Sequence, residues 1–157
     1  MSTWSQFAAS APELASYGKT RLESRIAYLA TTRPDGAPRV HPVSSFVTDT
    51  GLFVYMERSS PKGNDLRRDP RYALHCTVED NSGGGGEFLV TGHAIEIDDT
   101  KIREKAFEQA RKTGCNPRER YVLFELRIRE AIATRYEQGT PQRTKWKAAD
   151  QETNDSR

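Results

Sequence analysis

Between residues 26 and 56 the chain alternates strand-like runs with very short turns, and this spacing leaves an antiparallel sheet as the solution. Residues 26–32 (Ile-Ala-Tyr-Leu-Ala-Thr-Thr) run into Arg33-Pro34-Asp35-Gly36. Pro fixes φ and Gly accepts a positive φ, so the chain reverses there. A second strand is expected over residues 37–48, a turn at Asp49-Thr50-Gly51 and a third strand at Leu52-Phe53-Val54-Tyr55-Met56. A parallel pair would need a crossover of about a dozen residues or more, and these connections have only a few.

The remaining chain extends this pattern. Trp4, Phe7 and Ala8 share a helical face. A second helix begins near Ser10 with Pro12 in its first turn, and Leu14, Tyr17 and Leu22 on its apolar side. A short helix opens at Ser59-Ser60-Pro61-Lys62, carries Leu66 as its core anchor and ends before Asp69-Pro70. Residues 71–79 alternate, with Tyr72, Leu74, Cys76 and Val78 facing one way. A glycine-rich loop at 81–86 leads to a strand at 87–97. Asp98-Asp99-Thr100 then caps a helix bearing Ile102, Ala106, Phe107 and Ala110. A long strand over 121–136 has Val122, Phe124, Leu126, Ile128 and Ile132 on one face, and 142–147 forms a last edge strand. The expected fold is mainly β with added helices, an antiparallel barrel, in one domain over residues 1–148. Residues 149–157 are expected to be a polar, disordered tail.

Composition excludes several classes. Lys and Arg total 24 against 22 Asp and Glu, too even for a dedicated nucleic-acid binder. No apolar run reaches the ~18–20 residues of a membrane span, and the first residues lack the form of a signal peptide. Cys76 and Cys115 are far apart and belong to no ligand-spaced cluster, so neither a disulfide framework nor a structural metal is expected. His41, His75 and His93 stand in three different strands without metal-ligand spacing. The expected setting is the cytoplasm.

Two segments carry candidate chemistry. In Ser60-Pro61-Lys62, a capping serine and a first-turn proline leave backbone N–H groups exposed. A lysine beside the positive helix end makes sense where it meets an anion such as phosphate. A solvated surface helix with ordinary caps would show the same residues. In Arg39-Val40-His41-Pro42-Val43-Ser44, Arg39 can contact a phosphate through two donors. Pro42 implies an edge or interrupted pairing. An edge strand with a surface arginine is the alternative. No side chains are spaced as a nucleophile with its base, and catalytic residues remain unassigned.

These same residues, in order, resemble the pyridoxamine 5'-phosphate oxidase-like family of flavin-binding split β-barrels. The resemblance runs from Ala30-Thr31-Thr32-Arg33-Pro34-Asp35-Gly36 through residues 37–43 and 52–56 to Ser59-Ser60-Pro61-Lys62 and Leu66-Arg67-Arg68-Asp69-Pro70-Arg71. It continues at Glu87-Phe88-Leu89-Val90-Thr91-Gly92, Thr134-Arg135-Tyr136 and Lys145-Trp146-Lys147. It implies an antiparallel split β-barrel and an FMN-dependent oxidoreductase acting on a small molecule. Some relatives use F420 and others bind haem instead, and a non-catalytic cofactor-binding barrel is the further alternative. It further implies a homodimer with the cofactor at the interface. Apolar residues around Val43, Tyr55 and positions 121–126 are expected to supply surface for the second copy. By the resemblance, Arg39, Ser60 and Lys62 hold the phosphate, with Pro61 between the last two. Val40, His41, Pro42, Val43 and Ser44 run beside the flavin ring, Tyr55 and Met56 stand near the cofactor, and Trp146 approaches the ring. Glu87 stands near a family glutamine that reaches the flavin from the other subunit.

Overall fold

The computed structural model describes residues 1–149. Of the expected tail at 149–157, all but Ala149 lies outside the described residues. Helices α1 (Trp4–Ser10) and α2 (Pro12–Leu22) come first. They are followed by strands β1 (Ala27–Thr32), β2 (Pro38–Val43), β3 (Ser45–Val47) and β4 (Leu52–Met56). Helix α3 (Pro61–Arg68) leads to β5 (Arg71–Cys76) and β6 (Glu87–Ile97). Helix α4 (Thr100–Lys112) leads to β7 (Val122–Glu137) and β8 (Thr140–Lys147). All strand pairs are antiparallel. The order is β2-β1-β5-β6-β7-β4-β3, with β8 also on β7, and the sheet does not close on itself.

Strand β7 holds the sheet together because it is long enough to be shared. One edge pairs with β6 along nearly its whole length. The other edge pairs with β4 at Val122–Glu125 and with β8 from Glu130 onward. Between Thr91 and Gly92 the β6–β7 register shifts, so Arg129 of β7 has no opposite number. A one-residue slip exchanges the two faces of a strand. Before the bulge Phe124, Leu126 and Ile128 are buried; after it Ala131 and Ala133 are buried instead. This corrects the sequence expectation for Ile132, which is half-buried on the opposite face against Leu89.

Two other expectations change in detail. The strand expected over 37–48 breaks at Ser44 into β2, which pairs with β1, and β3, which pairs with β4. Pro42 sits in β2 at the sheet edge, where its missing N–H costs no ladder bond. β5 ends at Cys76, and Val78 is 36% exposed, because Thr77 leaves the ladder and donates its hydroxyl to the Ile26 carbonyl.

The main core lies under α1 and α2. Trp4, Phe7 and Leu22 meet Leu29, Leu74, Phe88, Phe124 and Ile128 there. A second cluster joins Phe46, Phe53, Ile97 and Leu123 to Ala106 and Ala110 of α4, which therefore packs on the sheet as expected. Ile102 of α4 is instead exposed. The expected apolar surface around Val43 and 121–126 is covered within the chain: Val43, Leu123 and Phe124 are all buried. The large apolar side chains left in the open include Ile26, Tyr28 and Val40, on β1 and β2 and just before them.

Candidate functional site

Helix α3 begins as its sequence requires. Ser60 is the N-cap, and its hydroxyl accepts the Gly63 N–H at 3.2 Å, with Pro61 in the first turn. Leu66 is 2% exposed and anchors the helix in the core. Gly63 is needed for close packing: a Cβ there would lie 3.0 Å from the Ser60 hydroxyl and 3.1 Å from the Met56 sulfur. This brings the start of α3 onto the end of β4.

Arg39 reaches α3 from β2. Its Nε donates to Asp65 Oδ2 at 2.6 Å, and Thr31 donates its hydroxyl to the same oxygen at 2.8 Å. Arg68 approaches the other carboxylate oxygen at 3.4 Å and also donates to the Thr32 carbonyl. Asp65 is 1% exposed. Burial works to raise its pKa, but the donors from Arg39, Thr31 and Arg68 outweigh it and hold the carboxyl below its ordinary value. Asp65 thus binds one edge of the Arg39 guanidinium. The sequence reading missed this acid, because nothing in its local spacing pairs it with residues 31 and 39.

Lys62 is half-buried, and among the described residues it makes no ion pair or hydrogen bond. Burial lowers its pKa. His41 lies in the same field: burial, then Lys62 and Arg39, push its pKa down, and Asp65 opposes them. A half-buried ammonium with no carboxylate partner among the described residues, in the first turn of a helix, is an arrangement that favours an anion.

Next to this group lies a cleft of about 330 Å³. It is lined by Pro42, Val43 and Ser44 from the end of β2, Tyr55 and Met56 from β4, and Ser60 and Lys62 from α3. Seven of the twelve residues expected from sequence therefore converge. Arg39 bonds Asp65 of α3 and His41 feels the charge of Lys62, but neither lines the cleft. Val40 is 60% exposed and does not line the cleft, and Pro61 is exposed at the helix start. Trp146 lies elsewhere in the chain. Its ring packs on Phe7, and its indole N–H donates to the Ser10 hydroxyl at 2.8 Å. Glu87 accepts from the Tyr136 hydroxyl at 2.9 Å and lies 3.7 Å from His75.

The far wall of the cleft was not anticipated. Cys115, Asn116, Pro117 and Tyr121 come from the segment between α4 and β7, with Glu57 at the rim. Burial raises the Cys115 pKa, which keeps the thiol neutral. Tyr55 stacks on Phe46 and donates its hydroxyl to the Arg103 carbonyl at 3.3 Å, so the cleft floor is braced by α4. No group of three or more His, Cys, Asp or Glu side chains suited to a metal occurs among the described residues. No described helix is long and apolar enough to cross a membrane.

The family model for pyridoxamine 5'-phosphate oxidase matches residues 18–135, which include every element lining the cleft. The chain belongs to the pyridoxamine 5'-phosphate oxidase-like family. Solved structures share its antiparallel split-barrel fold. A conserved hypothetical protein from Mycobacterium tuberculosis is 20% identical, with a TM-score of 0.67 over 78% of this chain and 82% of its own. HutZ, the heme storage protein from Vibrio cholerae, is 15% identical, with a TM-score of 0.58 over 87% of this chain and 93% of its own. An F420 reductase is 18% identical, with a TM-score of 0.57 over 72% of this chain and 94% of its own. At these identities the likeness concerns the fold. Among curated proteins, the sequence finds no match.

Proposed function

We propose that this chain binds FMN in the cleft between β2, β4 and α3 and is a flavin-dependent oxidoreductase acting on a small molecule. The observation that carries this reading is Lys62: a half-buried cation without a partner among the described residues, on a cleft that it shares with Val43, Tyr55 and Met56. That layout suits a planar ring ending in a phosphate. The Ser60 hydroxyl and the Lys62 N–H, the first-turn amide not already bonded to Ser60, face the anion, the Lys62 ammonium supplies charge, and Arg39, fixed along one edge by Asp65, offers its remaining donors. Met56, Val43 and Pro42 exclude water from the ring site. A bound flavin supplies the electron transfer, and the protein positions and tunes it.

Each charge-assisted contact should contribute about 1.5–3 kcal/mol to binding. Lys62→Ala and Arg39→Ala should therefore each weaken FMN binding by roughly tenfold or more. Fluorescence titration of the folded variants measures this. Equal affinity in both variants and the parent would remove the phosphate site from this helix. The absorption spectrum of the purified protein decides the cofactor: an F420 or haem spectrum in place of oxidised flavin would overturn the FMN assignment.

The reading extends to a homodimer in the cytoplasm, with residues 1–148 as one folding unit in each copy. Tyr28 pairs with Pro42 across β1 and β2, and Val40 with Ala30, so these side chains form one outward face beside the cleft. Tyr28 is 44% exposed, Val40 60% and Ile26 46%, and a second copy seated there would cover them. Tyr28→Asp should convert a dimer into a monomer in light scattering. A parent protein that is monomeric at micromolar concentration would contradict the dimer.

A further inference from the structure

His41 stands outside the cleft wall, half-buried, and among the described residues its ring makes no hydrogen bond or ion pair. Strand β2 alternates, so Arg39, His41 and Val43 share one face. Residues directly opposite on β1 lie on that same face. Thr31, opposite Arg39, bonds Asp65 as Arg39 does, and Leu29, opposite His41, is fully buried. Helix α3 is therefore docked on this face, with the Arg39–Thr31 row held at Asp65.

That docking sets the order of charges along the strand. Lys62 precedes Asp65 by three residues, one turn nearer the helix start and on the same side. Asp65 is bonded to Arg39, and Lys62 lines the cleft together with Val43. His41, between Arg39 and Val43 on β2, is therefore carried between the guanidinium and the ammonium. The charges acting on it are Lys62 and Asp65 from α3 and Arg39 from its own strand. Its paired strand β1, Ala27–Thr32, brings no charged side chain. Asp65 is already engaged by Arg39, Thr31 and Arg68. Burial, Lys62 and Arg39 together hold the imidazole below its ordinary pKa, and so neutral. A dianion seated at Lys62 reverses that field, because it offsets the two cations that suppress the imidazolium.

We propose that His41 is the proton-linked member of this anion site: it takes up a proton when a dianion such as a phosphate monoester binds at Lys62, and its charge then adds to the hold on that anion. That the dianion is the phosphate of FMN rests on the flavin reading; the coupling of anion to histidine does not. The sign follows by linkage. His41 is neutral at neutral pH without the anion and gains charge with it. Anion affinity therefore rises as pH falls through the anion-bound pKa and levels off below the lower anion-free one. Asp65 stays ionised throughout, since its carboxyl is held below its ordinary value.

The test follows the imidazole C–H signals of the full chain by NMR across pH, in sodium sulfate and in sodium chloride at equal ionic strength. Sulfate is the probe because it stays a dianion over this range, whereas a phosphate monoester titrates near pH ~6. His75 and His93 are internal controls. His41→Gln assigns the His41 signal by its loss; where that variant fails to fold, His75→Gln and His93→Gln assign it by elimination. In chloride, His41 is expected to titrate below the ordinary value of about 6.5. Saturating sulfate should raise its pKa by about one unit, which corresponds to roughly tenfold tighter sulfate binding by the charged form. His75 and His93 should move much less, and Lys62→Gln should remove the effect. A His41 pKa that sulfate leaves unmoved, a rise matched by His75 and His93, or a rise that survives in Lys62→Gln would overturn the proposal. A parallel FMN titration by fluorescence separates the two readings. A sulfate-coupled His41 without FMN binding would sink the flavin reading alone, and FMN binding with an unmoved His41 would sink the histidine coupling alone.

Discussion

Gly92→Ala should destabilise the protein more than any other single methyl addition to the sheet. A Cβ at this position would lie 1.8 Å from the Arg127 carbonyl oxygen and 2.9 Å from its carbon, both backbone atoms. No rotamer change relieves such a clash, because the obstacle is the neighbouring strand itself. Accommodating the methyl group means pulling β6 from β7 at the bulge, where the sheet register is set. A loss of about 4 kcal/mol or more is expected. For a chain of this size that lowers the melting temperature by roughly 8–16 °C. Circular dichroism melts measure it, with Gly36→Ala as the comparison. Gly36 has a φ of +83° but nothing within 4 Å of its would-be Cβ, so only the backbone strain of about 1 kcal/mol applies. Similar melting points for the two variants would contradict the bulge geometry.

Asp65→Ala should lower both stability and phosphate affinity. Removing one partner of a buried ion pair costs about 3–5 kcal/mol where the remaining charge stays buried. Here the Arg39 side chain is 24% exposed and that of Arg68 40%, so water can reach both. The expected loss is nearer ~2–3 kcal/mol. FMN binding should weaken as well, since Arg39 loses the bond that fixes its guanidinium. The pH dependence has a definite sign. The folded state holds the Asp65 carboxyl below its ordinary 3.8, so its contribution is complete above pH 3.8 and disappears as pH falls through the lower folded value. Urea unfolding of parent and variant should therefore differ most at neutral pH and converge well below pH 3.8. A stability difference that persists unchanged in acid would show that Asp65 acts through packing rather than charge.

Much of the candidate site was legible because its signals are local. Ser60, Pro61 and Lys62 are adjacent, and a helix start imposes its own residue preferences. The alternation of Arg39, His41 and Val43 follows from the strand period alone. Asp65 was not legible: its partners at 31 and 39 are brought to it only when β1 and β2 pair and α3 docks on them. Cys115 and Tyr121 reach the cleft by the path of the chain after α4, which no spacing records. Trp146 shows the converse. Its position in the sequence matched a pattern, and the packing of Phe7 and Ser10 decided where its ring lies.

The sequence by itself determined the antiparallel class and the Ser60-capped start of α3, because turn chemistry, capping and periodicity act over a few residues. Tertiary structure decided the bulge opposite Gly92, which moved Ile132 off the core face. It also decided the pairing of Asp65 with Arg39 and the burial of the Ser45 hydroxyl without a hydrogen-bond partner. Each of these depends on which backbone lies alongside another, and strand register and docking are set by contacts between residues distant in the chain.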